Sequence, residues 1–322
     1  MPHGAQAGTG SSAESRDRAP RFAGIRRPAA GAVGRVMGQG CPLCGDGLST
    51  PVLVADGERL VRCRHCRLLY QDPRPAEAVQ QHYDNLYDND SGSDHIDERR
   101  RALFRGFLDR WPSQGFGRLL DVGCGSGEFL LQARERGWSV AGVEVSARGV
   151  AVAQRRGLAV HPDVAALPDD HFDAVTLWNV VDFFSHPVEQ LRQIHRVLAP
   201  GGLVFVRTPN AAYQMAAWRL SRVLVWPPPV ARLLTEAYFV QPIVWAPRTL
   251  RQLLLCAGLT DITLWNSDVS QGDPYRPGSA GRERVVVTAK HAVRLLARMV
   301  YGLSHGRLLV GSSISALARK PG

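Results

Sequence analysis

The chain has 322 residues, 45% of them hydrophobic and 21% charged, with 39 basic against 29 acidic side chains and a net charge of +10. That length holds one full α/β domain and a small appendage, and no apolar run reaches the roughly eighteen residues of a conventional membrane span. The charge sits at the ends (+4 over residues 1–40 and +8 over 276–322, with 41–275 slightly acidic), so the middle lacks the basic stripe of a nucleic-acid enzyme.

Residues 1–38 are rich in Gly, Ala, Ser and Arg, without hydrophobic periodicity or a signal-peptide core, and are expected to form a disordered tail. Met37 stands as an alternative translation start. Cys41-Pro-Leu-Cys44 and Cys63-Arg-His-Cys66 then form CxxC–x18–CxxC. Two such knuckles can present four thiolates to a structural zinc ion with no open coordination position. A redox dithiol needs only one CxxC, and disulfides are rare in the cytoplasm, where the chain is placed. Leu60-Val-Arg and Leu68-Leu-Tyr fit the short strands of a zinc ribbon over 39–72. Arg67 stands where such knuckles usually carry Gly, which predicts a looser turn. Cys124 and Cys256 read as small packing residues.

Residues 73–112 are expected to be a helical connector or lid. Prolines suited to a helix start precede Tyr83 and Tyr87, an i,i+4 pair on one helix face, and the polar run 88–97 reads as a loop. Next, Leu119-Leu-Asp-Val-Gly-Cys-Gly-Ser-Gly-Glu-Phe129 is a short apolar strand running into a glycine-rich turn and a helix. Gly123, Gly125 and Gly127 tolerate unusual backbone angles and remove side chains that would keep a ligand away, while Asp121 places a carboxylate at the strand end. A second strand, Ser139-Val-Ala-Gly-Val143, ends in Glu144, where an acid can accept both hydroxyls of a ribose. The glycine spacing is GxGxG and not the GxGxxG of dinucleotide sites, whose pyrophosphate wants a helix N-terminus.

Asp121-Val-Gly-Cys-Gly-Ser-Gly127 resembles the first motif of class I S-adenosylmethionine (SAM)-dependent methyltransferases. The passage Leu191 to Pro200, Gly201-Gly202 and Leu203–Pro209 is similar to the helix-LxPGG-strand segment of that family. The resemblance spans about residues 116–266 and implies a seven-stranded Rossmann-like α/β sheet whose last strand, Ser312–Arg319, is antiparallel. That domain covers 113–322, with insertions at 211–245 and 267–311. It implies SAM held by Asp121, Gly123, Cys124, Gly125, Gly127, Glu144, Val145, Asp163, Val164 and Asn179. Tyr83 and Tyr87 would close over the cofactor as in similar zinc-ribbon methyltransferases, with core packing the alternative. His195, on the helix before LxPGG, reads as a surface residue.

Methyl transfer from a sulfonium is an in-line displacement that rests on proximity and orientation, and a base is needed only when the acceptor must lose a proton. Asp182 and His186, on the segment after strand four, are the candidates. A helix-capping acid and an exposed loop histidine are the competing readings. Relatives among zinc-containing sugar C-methyltransferases carry Glu-His where this chain has Asp182-Phe183. The expected acceptor is therefore a small molecule: a sugar, a lipid-linked glycan or a natural-product oxygen or carbon. An RNA methyltransferase gripping RNA with the ribbon and a non-catalytic SAM-binding scaffold stay open as alternatives. Finally, residues 291–303 place Val293, Leu296, Val300 and Leu303 on one face with Arg294 and Arg298 off it. That pattern suits either peripheral contact with an anionic membrane or a cover for the enzyme's own core.

Overall fold

A computed structural model describes residues 36–37, 39–55, 58–74, 98–111, 117–223, 241–267, 292 and 294–322. Tyr83, Tyr87 and most of the expected connector lie outside these residues, as do much of the two insertions.

The larger sheet has seven strands: β5 (Arg118–Val122), β6 (Ser139–Val143), β7 (Val160–His161), β8 (Phe172–Trp178), β9 (Leu198–Pro209), β11 (Thr260–Asn266) and β12 (Ser313–Arg319). Their spatial order is β11-β12-β9-β8-β5-β6-β7. Pairs from β9 to β7 are parallel, and β12 runs antiparallel to both neighbours. This is the Rossmann-like arrangement that the resemblance implies. The central strands are apolar on both faces, as parallel strands covered by helices must be; in β8 only Asp173 is exposed. On one face, α4 (Pro187–Val197) and α6 (Pro247–Cys256) share a core with Leu120, Val175, Val204 and Ile314. On the other face lie α1 (Glu98–Leu108), α2 (Glu128–Glu135) and α3 (Ala147–Arg155). There Phe104 and Phe107 of α1 meet Trp178 and Phe205, with ring centroids 4.9 Å apart for Phe104–Trp178 and 4.2 Å for Phe107–Phe205. The aromatic rings of α1 thus roof the central strands, each pair adding edge or tilted contacts to the area buried.

The Gly201-Gly202 passage is not a free turn. β9 already begins at Leu198, paired with Phe172, and slips register before resuming at Leu203 opposite Ala174, so the two glycines form an irregularity inside one long strand. Two expectations are corrected on this side. Cys256 is exposed at the end of α6. His195 is half-buried beneath Gly258, whose added Cβ would lie 3.5 Å from its Nε2, and desolvation lowers its pKa.

The smaller sheet has the order β1-β2-β3-β4-β10. It comprises β1 (Val36–Met37), β2 (Leu48–Ala55), β3 (Glu58–Cys63), β4 (Leu69–Gln71) and β10 (Ile243–Val244). β10 comes from beyond β9 and pairs antiparallel with β4, so a strand of the second half of the chain completes the N-terminal sheet. One face of that sheet, through Leu53, Leu60 and Leu69, packs on Ala211, Met215 and Trp218 of α5 (Ala211–Val223). The other face, through Val61, Leu68 and Tyr70, joins the core of the large sheet.

Candidate active site

β5 delivers Asp121 to the point where the chain turns through Gly123 and Gly125 into α2. Gly123 N and Cys124 N both donate to Val143 O at the end of β6, at 2.7 and 3.1 Å, which stitches the turn across the sheet. Gly123 and Gly127 have φ of 74° and 82°, the left-handed region that disfavours side chains. A Cβ on Gly123 would overlap Val180 Cγ2, and one on Gly127 would overlap Leu158 Cδ1. The expectation that these two glycines clear space for a ligand is therefore corrected: the space is filled by protein, and their role is to let the turn close. Cys124 is buried, its thiol against Gly142, so only its backbone is available to a ligand.

The acids divide by exposure. Asp121 is buried and accepts from Thr176 Oγ1 at 2.7 Å; burial pushes its carboxyl up to about 7, against the pull of that hydrogen bond. It braces the turn from below. Glu144, at the carboxyl end of β6, accepts from Gly125 N at 2.8 Å through Oε2 and from Ser146 N at 2.9 Å through Oε1. Beside it Val145 is 62% exposed, an apolar surface at the sheet's carboxyl edge. Asp163 is exposed and accepts from Ala165 N at 3.0 Å, starting a short 3-10 turn that buries Val164. A sulfonium nucleoside fits this donor set: carboxylates at successive strand ends for its hydroxyls and amino groups, and an apolar residue for its base.

The opposite rim, at the carboxyl ends of β8 and β9, carries a polar cluster. Asn179, with φ of 58°, accepts from Arg207 Nη1 at 2.7 Å, and Arg207 Nε donates to Ser267 Oγ at 2.9 Å. Asp182 sits in the 3-10 turn Val181–Phe183, buried, with Oδ1 accepting a short hydrogen bond from Thr208 Oγ1. Its Oδ2 is shielded from solvent and, among the described residues, has no hydrogen-bond partner. Burial raises its carboxyl to about 7, opposed by Thr208 and by the Arg207 charge. His186 stands apart, exposed at the N-cap of α4, and among the described residues its side chain bonds to none of this cluster. Arg207, Thr208 and Thr176 did not emerge from the motifs. Their signal was present, since each is a polar residue in an otherwise apolar strand, a position that demands a buried partner.

The four knuckle cysteines converge: Sγ atoms of Cys41, Cys44, Cys63 and Cys66 all lie within 4.8 Å of one another. The shortest separations are 3.4 Å for Cys41–Cys66 and 3.5 Å for Cys44–Cys63, far beyond a disulfide. They approach the roughly 3.8 Å edge of a tetrahedron with Zn–S bonds of about 2.3 Å. The donor set therefore suits a structural zinc ion. Arg67 corrects the expected looser turn. Its φ of 68° matches the 76° of Gly45 in the first knuckle, so the same turn is made at a steric cost. Arg67→Gly is expected to stabilise the protein by about 1 kcal/mol, read as a rise in denaturation midpoint; an unchanged or lower midpoint would refute this.

The ribbon also reaches the rim. Trp245, next to β10, is fully buried, its Nε1 donates to Val181 O at 3.3 Å, and its carbonyl accepts from Ala211 N at 2.9 Å. Cys44→Ser is accordingly expected to lose bound zinc by metal analysis and to lower the melting temperature by roughly 5–10 °C. Full zinc retention with an unchanged melting curve would remove the ribbon from the stability of the domain.

Residues 95–264 match a family model described as a methyltransferase domain. The chain is 34% identical over 147 residues to the ubiquinone biosynthesis O-methyltransferase of Caulobacter sp. (strain K31), a match covering 41% of this chain and 58% of that protein. It is 30% identical over 116 residues to the malonyl-[acyl-carrier protein] O-methyltransferase of Enterobacter lignolyticus (strain SCF1), covering 34% and 46%. The chain thus spans about half the length of the curated relatives it matches. Among solved structures, a chain of the complex between the Haloferax volcanii Trm112 methyltransferase activator and a methyltransferase matches with a TM-score of 0.50 at 18% identity, over 76% of this chain and 98% of that one, a likeness of fold.

Proposed function

As the chain belongs to the methyltransferase-domain family, we propose that it transfers a methyl group from SAM to a hydroxyl oxygen of a small-molecule acceptor. The observation that carries this reading is Asp182: a buried carboxyl with one unpartnered oxygen and a pKa raised to about 7, beside Arg207 at the carboxyl ends of β8 and β9. A hydroxyl must lose a proton as it is methylated, and a base titrating near neutral pH is matched to that task. The names of the two curated relatives, both O-methyltransferases, support the same acceptor atom.

SAM, when bound, supplies a methyl carbon activated by its sulfonium. Glu144 and Asp163 would hold its hydroxyls and amino groups, with Val145 against the base. Asp182 would receive the proton that the acceptor hydroxyl loses as its oxygen takes the methyl group. Arg207, fixed by Asn179 and Ser267, steadies the negative charge developing on the oxygen. The test is incubation with SAM and matched hydroxyl, amine and thiol acceptors of several scaffolds, with products identified by mass spectrometry. O-methyl products are expected; methylation confined to nitrogen, sulfur or carbon would overturn the reading.

A further inference from the structure

The segment between β11 and β12 ends in a helix over residues 294–303. Leu296 and Leu303, from the apolar face that the sequence left open between membrane contact and core cover, are exposed, and the buried residue on this helix is Ala297, whose carbonyl accepts from Asn266 Nδ2. Leu295 (60% exposed), Met299 (58%) and Leu303 (84%) form an outward stripe at i, i+4 and i+8. Leu296 flanks the stripe, and Leu308 lies exposed just past the helix.

The chain just past this helix is tied to the body by hydrogen bonds. Gly311 N donates to Asn266 Oδ1 at 2.9 Å, and Asn210 Nδ2 donates to the carbonyls of Leu309 and Gly311, each at 2.9 Å. The last acid of the sequence is Glu283. Of the basic residues that follow, Arg319 and Lys320 are used internally, against Asp261 and Asp170. Arg298 and Arg307 are exposed, and no ion pair among the described residues engages either.

We infer that this helix is a docking surface for an anionic lipid bilayer, with Leu295, Met299 and Leu303 entering the headgroup boundary and Arg298 and Arg307 facing lipid phosphates. An apolar stripe with exposed arginines beside it is complementary to such a surface. The helix is short, so apolar insertion alone gives weak attachment, and binding is expected to need both contributions and to be salt-sensitive. The inference is independent of the acceptor.

The test is co-sedimentation of the full chain with vesicles of phosphatidylglycerol and phosphatidylcholine in equal parts, against phosphatidylcholine alone. Binding to the anionic vesicles is expected, reduced at least about tenfold by high salt, by the double variant Met299→Glu/Leu303→Glu, or by Arg298→Glu/Arg307→Glu. Leu255→Glu, an exposed apolar position on α6, should bind like the wild type. SAM affinity, measured on every variant, reports intact folding. Absence of binding, equal binding by the Met299/Leu303 variant, or equal binding to neutral vesicles would overturn the proposal. So would a solution dimer dissociated by Leu303→Glu, which would assign the face to a second copy of the chain.

Discussion

Glu144→Ala is expected to weaken SAM binding about 100- to 1,000-fold by calorimetry. A charged acceptor contributes about 1.5–3 kcal/mol per hydrogen bond, and in the proposed cofactor role Glu144 would take two from a ribose. The variant also removes the partner of Gly125 N and Ser146 N, so the turn loses its tie to β6 and a drop in thermal stability should accompany the lost affinity. Glu144→Gln keeps an oxygen for one of those amides but not the charge, and is expected to recover stability before affinity. Binding within threefold of wild type in the alanine variant would remove Glu144 from the cofactor site.

The second large effect is expected at Asp182. Asp182→Asn should lower kcat by about 10²- to 10⁴-fold, the usual contribution of a positioned base, while SAM affinity stays within about threefold. The pH dependence separates a base from a structural acid. With the wild-type carboxyl titrating near 7, activity rises with pH through that value and levels above it, and the asparagine variant should show a flat residual profile. Stability runs the other way. The folded-state pKa lies above the unfolded value of about 3.9, so between about pH 4 and 7 the folded protein holds a proton that the unfolded chain has released. The contribution of this group to stability therefore falls as pH rises across that window. At pH 8 the asparagine variant should melt no lower than wild type. An inactive variant that also melts lower, with an unchanged pH optimum in its residual activity, would mark Asp182 as structural.

The parts of the molecule legible in the sequence are those whose chemistry is carried by neighbours in the chain. The glycine turn follows Asp121 directly, and each zinc knuckle is four residues long. The strands alternate with helices at lengths that leave little choice of sheet order once the connections are right-handed. Even so, local motifs misassigned some reasons. The glycines of the turn were expected to face a ligand, whereas Gly123 and Gly127 abut Val180 and Leu158. A residue's backbone need can be read from a motif; the identity of what fills the vacant side-chain volume comes from another strand.

The same limit applies to the amphipathic pattern over 291–303. Periodicity defined a helix, but the choice of buried face was made by Asn266, which holds Ala297 against the body and turns Leu303 outward.

By itself, then, the sequence determined the acids at successive strand ends, the convergence of four cysteines suited to a metal and the seven-stranded class of fold, because these depend on spacing within short segments. Only the tertiary structure decided how the rim is built. Thr176 reaches Asp121 across 55 residues, Arg207 reaches Asn179 across 28 and Ser267 across 60, and Thr208 reaches Asp182 across 26. Each of these pairs buries a polar group whose partner lies on another strand or beyond it. Strand order placed them side by side, and the cost of leaving such groups unpaired in the core holds them there.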